Sequence, residues 1–122
     1  MILGVGADIV KIERIEKSCA RDSFRARVFT AAEIEYAEQH GGRAEIYAGM
    51  FAAKEAVAKA LGTGFAGFGP AEIEVLHDEL GRPSVSLYGG AKALFGELNA
   101  AHIHLSISHD AGLAAAFAVA EA

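Results

Sequence analysis

An aspartate at position 8, a glutamate and a lysine four residues apart at 55 and 59, and the run Ser108-His109-Asp110 are the groups in this chain whose types and settings could do chemistry. Each stands among apolar or small neighbours. Two carboxylates from separate elements, with no cysteine or histidine cluster beside them, suit a hard cation such as Mg²⁺. Such an ion takes few protein ligands and keeps positions for water and phosphate oxygens. Lys59 and the backbone amides of Gly62-Thr63-Gly64 just beyond it could serve the same phosphate. A diphosphate held against two carboxylates requires the cation, because each like-charge pair at ~4 Å costs about 4 kcal/mol at an effective dielectric near 20.

On the residues alone the plainer readings stay open. Glu55 and Lys59 have the i,i+4 spacing of an ordinary ion pair on a solvated helix face. His109 could be a hairpin-tip histidine with no role. His102 and His104 lack a third ligand at zinc-like spacing and read as surface or interface residues. Gly4-Val5-Gly6 has no third glycine where a dinucleotide fingerprint needs one, so a Rossmann reading carries little weight.

The elements that must position these groups follow from periodicity. Residues 2 to 10 alternate as a strand, with Leu3, Val5, Ala7 and Ile9 on one face and Gly4, Gly6, Asp8 and Val10 on the other. The two glycines are expected to leave room beside the Asp8 carboxylate for an approaching group. A helix is predicted over about 11 to 20, and Thr30 with Glu33 forms a capping box opening another. A long helix over about 43 to 61 carries Phe51, Glu55 and Lys59 as one ridge. Ala52, Ala53, Ala56, Val57 and Ala60 give it a small-residue surface that another backbone can approach closely. Gly62 and Gly64 are expected to end that helix and leave free N–H groups beside Lys59. Segments around Ile73–Val75 and Val85–Leu87 pair as a hairpin across His77 to Pro83, and Ala91 to Leu98 is helical. Residues 102 to 108 alternate as a strand. The Ala-rich segment Leu113 to Glu121 favours helix by propensity, but pairing back across Asp110-Ala111-Gly112 makes it a strand. The fold class is α+β: one small domain over 1–122, an antiparallel sheet packed with one long and several short helices.

The net charge of −5 hides an asymmetry. Six of the eleven Lys and Arg residues lie between positions 11 and 27 against three acids, so this segment is +3 and the rest of the chain is −8. Laid on one helix, Lys11, Arg14, Ser18, Arg21 and Arg25 form a cationic stripe beside an apolar one of Ile12, Ile15 and Cys19. The stripe is either a solvated face or a means of steering in a strongly acidic partner. Cys19 is the single cysteine, which excludes an internal disulfide and a cysteine metal cluster. No stretch is apolar for a membrane span's length, so a cytosolic protein without membrane or nucleic-acid partners is expected.

Gly4-Val5-Gly6-Ala7-Asp8-Ile9-Val10 followed by Arg14, then Phe51-Ala52-Ala53-Lys54-Glu55-Ala56 with Lys59-Ala60-Leu61-Gly62-Thr63-Gly64, then Gly81-Arg82-Pro83, then His104 to His109, closely resemble the holo-acyl-carrier-protein synthase family of 4′-phosphopantetheinyl transferases. The match runs the length of the chain in order. The resemblance implies transfer of the 4′-phosphopantetheine arm of coenzyme A to a serine of apo acyl carrier protein, with release of adenosine 3′,5′-bisphosphate, in support of fatty acid biosynthesis. By the same likeness Asp8 and Glu55 are the Mg²⁺ ligands and Lys59 with Gly62, Thr63 and Gly64 the pyrophosphate cradle. Pro83 belongs to the adenine-side wall, His109 lines the coenzyme A site with a catalytic part, and Arg14, Arg21 and Arg25 face an acidic helix of the carrier. The family is a trimer with active sites at subunit interfaces. Met50 stands where the family often has a basic residue, so the 3′-phosphate contact passes to Arg43 or Arg82. Asp110 could approach the metal or cap the turn. The rival readings are a metal-dependent phosphohydrolase and a non-catalytic oligomeric binding module.

Overall fold

The computed structural model describes residues 1–122. Strand β1 (Ile2–Lys11) leads into helices α1 (Ile12–Cys19), α2 (Asp22–Val28), α3 (Ala31–Gln39) and α4 (Ala44–Ala60). A glycine-rich loop and a 3₁₀ turn (Pro70–Glu72) then precede the hairpin β2 (Ile73–His77) and β3 (Pro83–Leu87). Helix α5 (Gly89–Glu97) and the hairpin β4 (His102–Asp110) and β5 (Leu113–Glu121) complete the chain. All pairing is antiparallel: β5 lies between β1 and β4 in one sheet, and β2 and β3 form a second.

The alanine strand is explained by what packs on it. Ala114, Ala116, Ala118 and Ala120 alternate inward and are buried, as are Ala52, Ala53, Ala56 and Ala60 of α4. Small side chains on both surfaces let helix and sheet lie close, and tertiary contact overrides the helix propensity of the segment. Closest approach is at β1, where a Cβ on Gly6 would sit 1.9 Å from the Ala56 carbonyl oxygen and one on Gly4 2.1 Å from that of Ala60. The space these glycines create is therefore filled by the α4 backbone. It is not an opening for a ligand beside Asp8, which corrects the expectation above. At its other end α4 lies over β4, with Gly49 facing Ile107. The helix thus crosses the sheet from β4 to β1.

The two-residue turn Ala111-Gly112 has positive φ at both positions (52° and 78°), the requirement of a type I′ hairpin. Ser108, His109 and Asp110 are consequently the last residues of β4, with Asp110 opposite Leu113. The α3 capping box forms as predicted, Thr30 Oγ1 accepting from the Glu33 amide at 3.2 Å and Glu33 Oε1 from the Thr30 amide at 2.8 Å.

The cationic stripe does not lie on one helix. Ala20 is still helical, but Arg21 is extended (φ −98°, ψ 121°) and starts a new helix. The break turns Phe24 and Val28 of α2 onto the core that Ile15 of α1 also enters; Phe24 stacks on Phe51 at 6.4 Å. Arg25 is paired with Asp22 inside α2. Lys11, Arg14 and Lys17 remain together, lining a shallow cleft of about 400 Å³.

The outer face of the three-stranded sheet is bare. Leu3, Val5, Ile9 and Phe117 are exposed there although large and apolar. His104 sits on the same face, its Nε2 2.9 Å from Glu121 Oε1.

Candidate active site

Asp8 faces α4 from β1, and the side chain that meets it is Lys59, one turn beyond Glu55. The Lys59 ammonium donates to Asp8 Oδ1 at 3.3 Å and to the Ala7 carbonyl at 3.0 Å. Lys59 therefore bonds across to the strand; the i,i+4 ion pair with Glu55 is not formed. Glu55 is half-buried beside them. Burial first, and the Asp8 charge second, push its carboxyl above the ordinary carboxylate value, while Lys59 and Arg14 pull it back. Asp8, Glu55, Lys59 and Arg14 thus share one electrostatic neighbourhood, drawn from β1, α1 and α4. No third Asp, Glu, His or Cys joins the two carboxylates as a metal-binding group.

That donor set fits Mg²⁺. The strain that burial and the Asp8 charge put on ionised Glu55 is relieved by a divalent cation, and so few protein ligands leave most of its octahedron to water and phosphate. The site opens onto a cleft of about 410 Å³ lined by Ala7, Asp8, Ile9, Lys59, Ser106, Ser108 and Phe117 among others.

The glycine loop behaves differently from the expectation. The Gly62 amide donates to the Lys59 carbonyl at 2.9 Å and the Gly64 amide to that of Ala58 at 3.1 Å. Both are committed to closing the end of α4, for which their positive φ (92° and 62°) is needed. Of the three expected cradle residues only Thr63 keeps its N–H out of the backbone bonds.

A second cleft, of about 250 Å³, opens at the other end of α4. Arg43, Met50, Pro83 and His109 line it, together with Tyr36 and His77. Met50 is buried. His77 stacks on Tyr36 at 4.1 Å with the rings 5° apart. Its Nδ1 is buried without a partner, and burial, followed by His40, lowers its pKa. Arg82 lies outside this cleft, in an adjoining one with Asp78 and His104. Asp110 is exposed, and within the chain its side chain makes no hydrogen bond or ion pair, so it does not cap the turn.

Sequence reasoning missed Tyr36, His77 and the pair Lys54–Glu33. Lys54 is 1% exposed and Glu33 0%, and their charges meet at 2.7 Å. The available signal was the position of Lys54 in the central motif, one step around the helix from Glu55.

Residues 4–119 match the family model described as the 4′-phosphopantetheinyl transferase superfamily. The chain belongs to that superfamily. A holo-[acyl-carrier-protein] synthase of Clostridium novyi is 52% identical over 122 residues, covering 99% of this chain and 88% of the relative. The crystal structure of holo-[acyl-carrier-protein] synthase from Neisseria meningitidis superposes with a TM-score of 0.88 at 36% identity, covering 100% of both chains. The Bacillus anthracis holo-(acyl-carrier-protein) synthase, solved in complex with coenzyme A (3′,5′-ADP), superposes at 0.82 with 37% identity, over 100% of this chain and 98% of that one. This phosphopantetheinyl transferase chain therefore shares both sequence and fold with the synthases along its whole length.

Proposed function

We propose that this protein transfers the 4′-phosphopantetheine arm of coenzyme A to a serine hydroxyl of an apo acyl carrier protein, releasing adenosine 3′,5′-bisphosphate. The observation that carries the reading is the pairing of Asp8 and Lys59 at an open cleft, within the electrostatic reach of Glu55, in a chain of this superfamily. Asp8 and Glu55 would hold Mg²⁺, which supplies charge neutralisation on the diphosphate oxygens. Lys59, half-exposed and already aimed at Asp8, swings onto the same oxygens, and the Thr63 amide adds a fixed donor. The serine oxygen attacks the β-phosphorus while the bond from that phosphorus to the bridging oxygen breaks. The serine proton passes to a carboxylate of the site, Asp8 or Glu55. Lys59 stabilises the charge on the departing nucleotide. Arg14 and Arg21, with the neighbouring Lys11 and Lys17, form the surface that meets the acidic carrier.

The active unit is a trimer with each site assembled from two chains, and two observations support this. Lys59 and Arg43 are sixteen residues apart along α4, about 24 Å at 1.5 Å per residue. The diphosphate and 3′-phosphate of coenzyme A hang from one ribose, so the Lys59 and Arg43 of a single chain cannot hold both. The bare apolar sheet face supplies a surface for association. In that assembly Arg43, Pro83 and His109 of one chain complete the carboxylate site of the next. The 122 residues act as a single transferase domain serving fatty acid synthesis. No helix is long and apolar enough to cross a membrane, which accords with action in the cytoplasm.

Incubation with coenzyme A, Mg²⁺ and apo carrier tests the reading: the carrier gains about 340 Da, the mass of the transferred phosphoryl-linked arm. Release of phosphopantetheine with an unmodified carrier would indicate the phosphohydrolase instead. No reaction at all would leave a binding module. Val5→Asp, placed on the bare face, is expected to sediment as a monomer and lose transfer; an active monomer overturns the shared site.

A further inference from the structure

The outer face of the three-stranded sheet is nearly free of ionisable groups in its middle. Strand register sets its residues in rows across β1, β5 and β4: Ile9–Ala115–Ser108, Ala7–Phe117–Ser106 and Val5–Val119–His104. His104 is the one titratable side chain in these rows. The other ionisable groups stand at the ends of the face, Lys11 and Asp110 at one, Glu121 and His102 at the other.

His104 Nε2 lies 2.9 Å from Glu121 Oε1. The His104 ring is 6.0 Å from that of His102, and His102 stands opposite Glu121 in the β4–β5 ladder. One carboxylate thus meets two imidazoles. The Met1 ammonium also acts on Glu121, Asp78 and Arg82 of the β2–β3 turn share a cleft with His104, and α4 packs on the opposite face of the sheet. In the single chain the pair is open to water, His104 being 58% and Glu121 40% exposed, and an exposed pair contributes little.

Covering the face changes that balance. A second chain that covers Val5 and Phe117 also covers His104, which shares a row with Val5 and stands one row from Phe117. Out of water, the Glu121 carboxylate beside a neutral imidazole is a stranded charge, whereas beside a protonated one it belongs to a pair of no net charge. Assembly therefore takes up a proton at each chain.

We propose that His104 and Glu121 make the self-association of this chain sensitive to pH. The assembly tightens as pH falls into the range where imidazoles charge, and it loosens again once His102 carries a second positive charge beside the one carboxylate. The inference rests on the reading of this face as the contact between copies. A histidine ordinarily changes charge between about pH 5 and about pH 8, and the added association is lost as pH rises through the value that the imidazole takes in the assembly. Activity follows, because each site is assembled from two chains: dilute enzyme loses transfer at alkaline pH and concentrated enzyme keeps it.

Sedimentation equilibrium tests the proposal. Between about pH 6.5 and about pH 8.5 the concentration at which half the wild type is assembled is expected to rise by about tenfold, for release of up to one proton per chain. His104→Gln keeps a neutral donor to Glu121 and does not titrate, so its half-assembly concentration is expected to stay level. Glu121→Gln makes a charged imidazole the stranded group, and the trend is expected to reverse. A level wild-type profile overturns the proposal, as does a wild type that is monomeric at both pH values. A slope that survives in His104→Gln also overturns it, placing the titrating group elsewhere, as at the shared site where His109 meets the next chain. Should either variant not fold, the other is judged by the same outcomes. An assembly with the expected slope that leaves the carrier unmodified supports this inference and fails the transferase reading.

Discussion

Glu55→Gln separates what catalysis asks of this side chain from what folding asks, and the two respond in opposite directions. Burial and the Asp8 charge raise the Glu55 pKa, so without metal the ionised group destabilises the fold. The amide keeps the shape and removes the charge. Two carboxylates in contact repel by about 4 kcal/mol at an effective dielectric near 20 and by about 1 kcal/mol in water. Asp8 is already paired with a half-exposed Lys59 at 3.3 Å, which places the relief at the low end. A gain of about 1 kcal/mol raises the melting midpoint of a domain this size by about 4 °C. Thermal melts in chelator at neutral pH should therefore place Glu55→Gln above the wild type. Mg²⁺ reverses the order, because ligand at a hundred times its Kd adds about 2.7 kcal/mol to the protein that binds it. Transfer by the variant falls by about 10³-fold. The pH dependence has a definite sign. Folded Glu55 holds its proton more tightly than the unfolded chain, so the metal-free wild type gains stability as pH falls from above the raised pKa to the ordinary carboxylate range, and nothing further below it. The variant lacks that rise. A metal-free Glu55→Gln that melts below the wild type, or gains as much from Mg²⁺, refutes the carboxylate pair as a metal site.

Gly6→Ala should lose about 3 kcal/mol in urea unfolding, because its Cβ would stand 1.9 Å from the Ala56 carbonyl oxygen and α4 must move off the sheet. Ala111→Asn places a residue that tolerates positive φ at the first turn position (φ 52°); the unfolding free energy from denaturant titration should rise by about 1 kcal/mol with unchanged slope. Arg14→Glu with Arg21→Glu should weaken carrier binding by about tenfold at low salt and leave coenzyme A affinity alone, and the wild-type affinity itself should fall as salt is added. Titrations at two ionic strengths check both.

Much of this protein is determined by its sequence alone, because it depends on residues close together in the chain. Alternation in residues 2–10 makes a strand and puts Asp8 on the inner face, Thr30 and Glu33 close their own capping box, and the glycine beyond Ala111 allows a two-residue turn. The residue types at 8, 55 and 59 are the ones on which the proposed phosphate and Mg²⁺ chemistry rests. Only the tertiary structure decided what meets what. Lys59 bonds to Asp8, 51 positions away, in place of its helical neighbour Glu55. The room made by Gly4 and Gly6 is taken by α4, and the Gly62 and Gly64 amides are spent on a helix end. The cationic stripe breaks at Arg21 because Phe24 and Val28 must reach a core that the stripe's own spacing does not reveal. Lys54 and Glu55 are adjacent in sequence yet one is enclosed and the other open, since packing on both sides of α4, and not the order of residues along it, sets which face meets water.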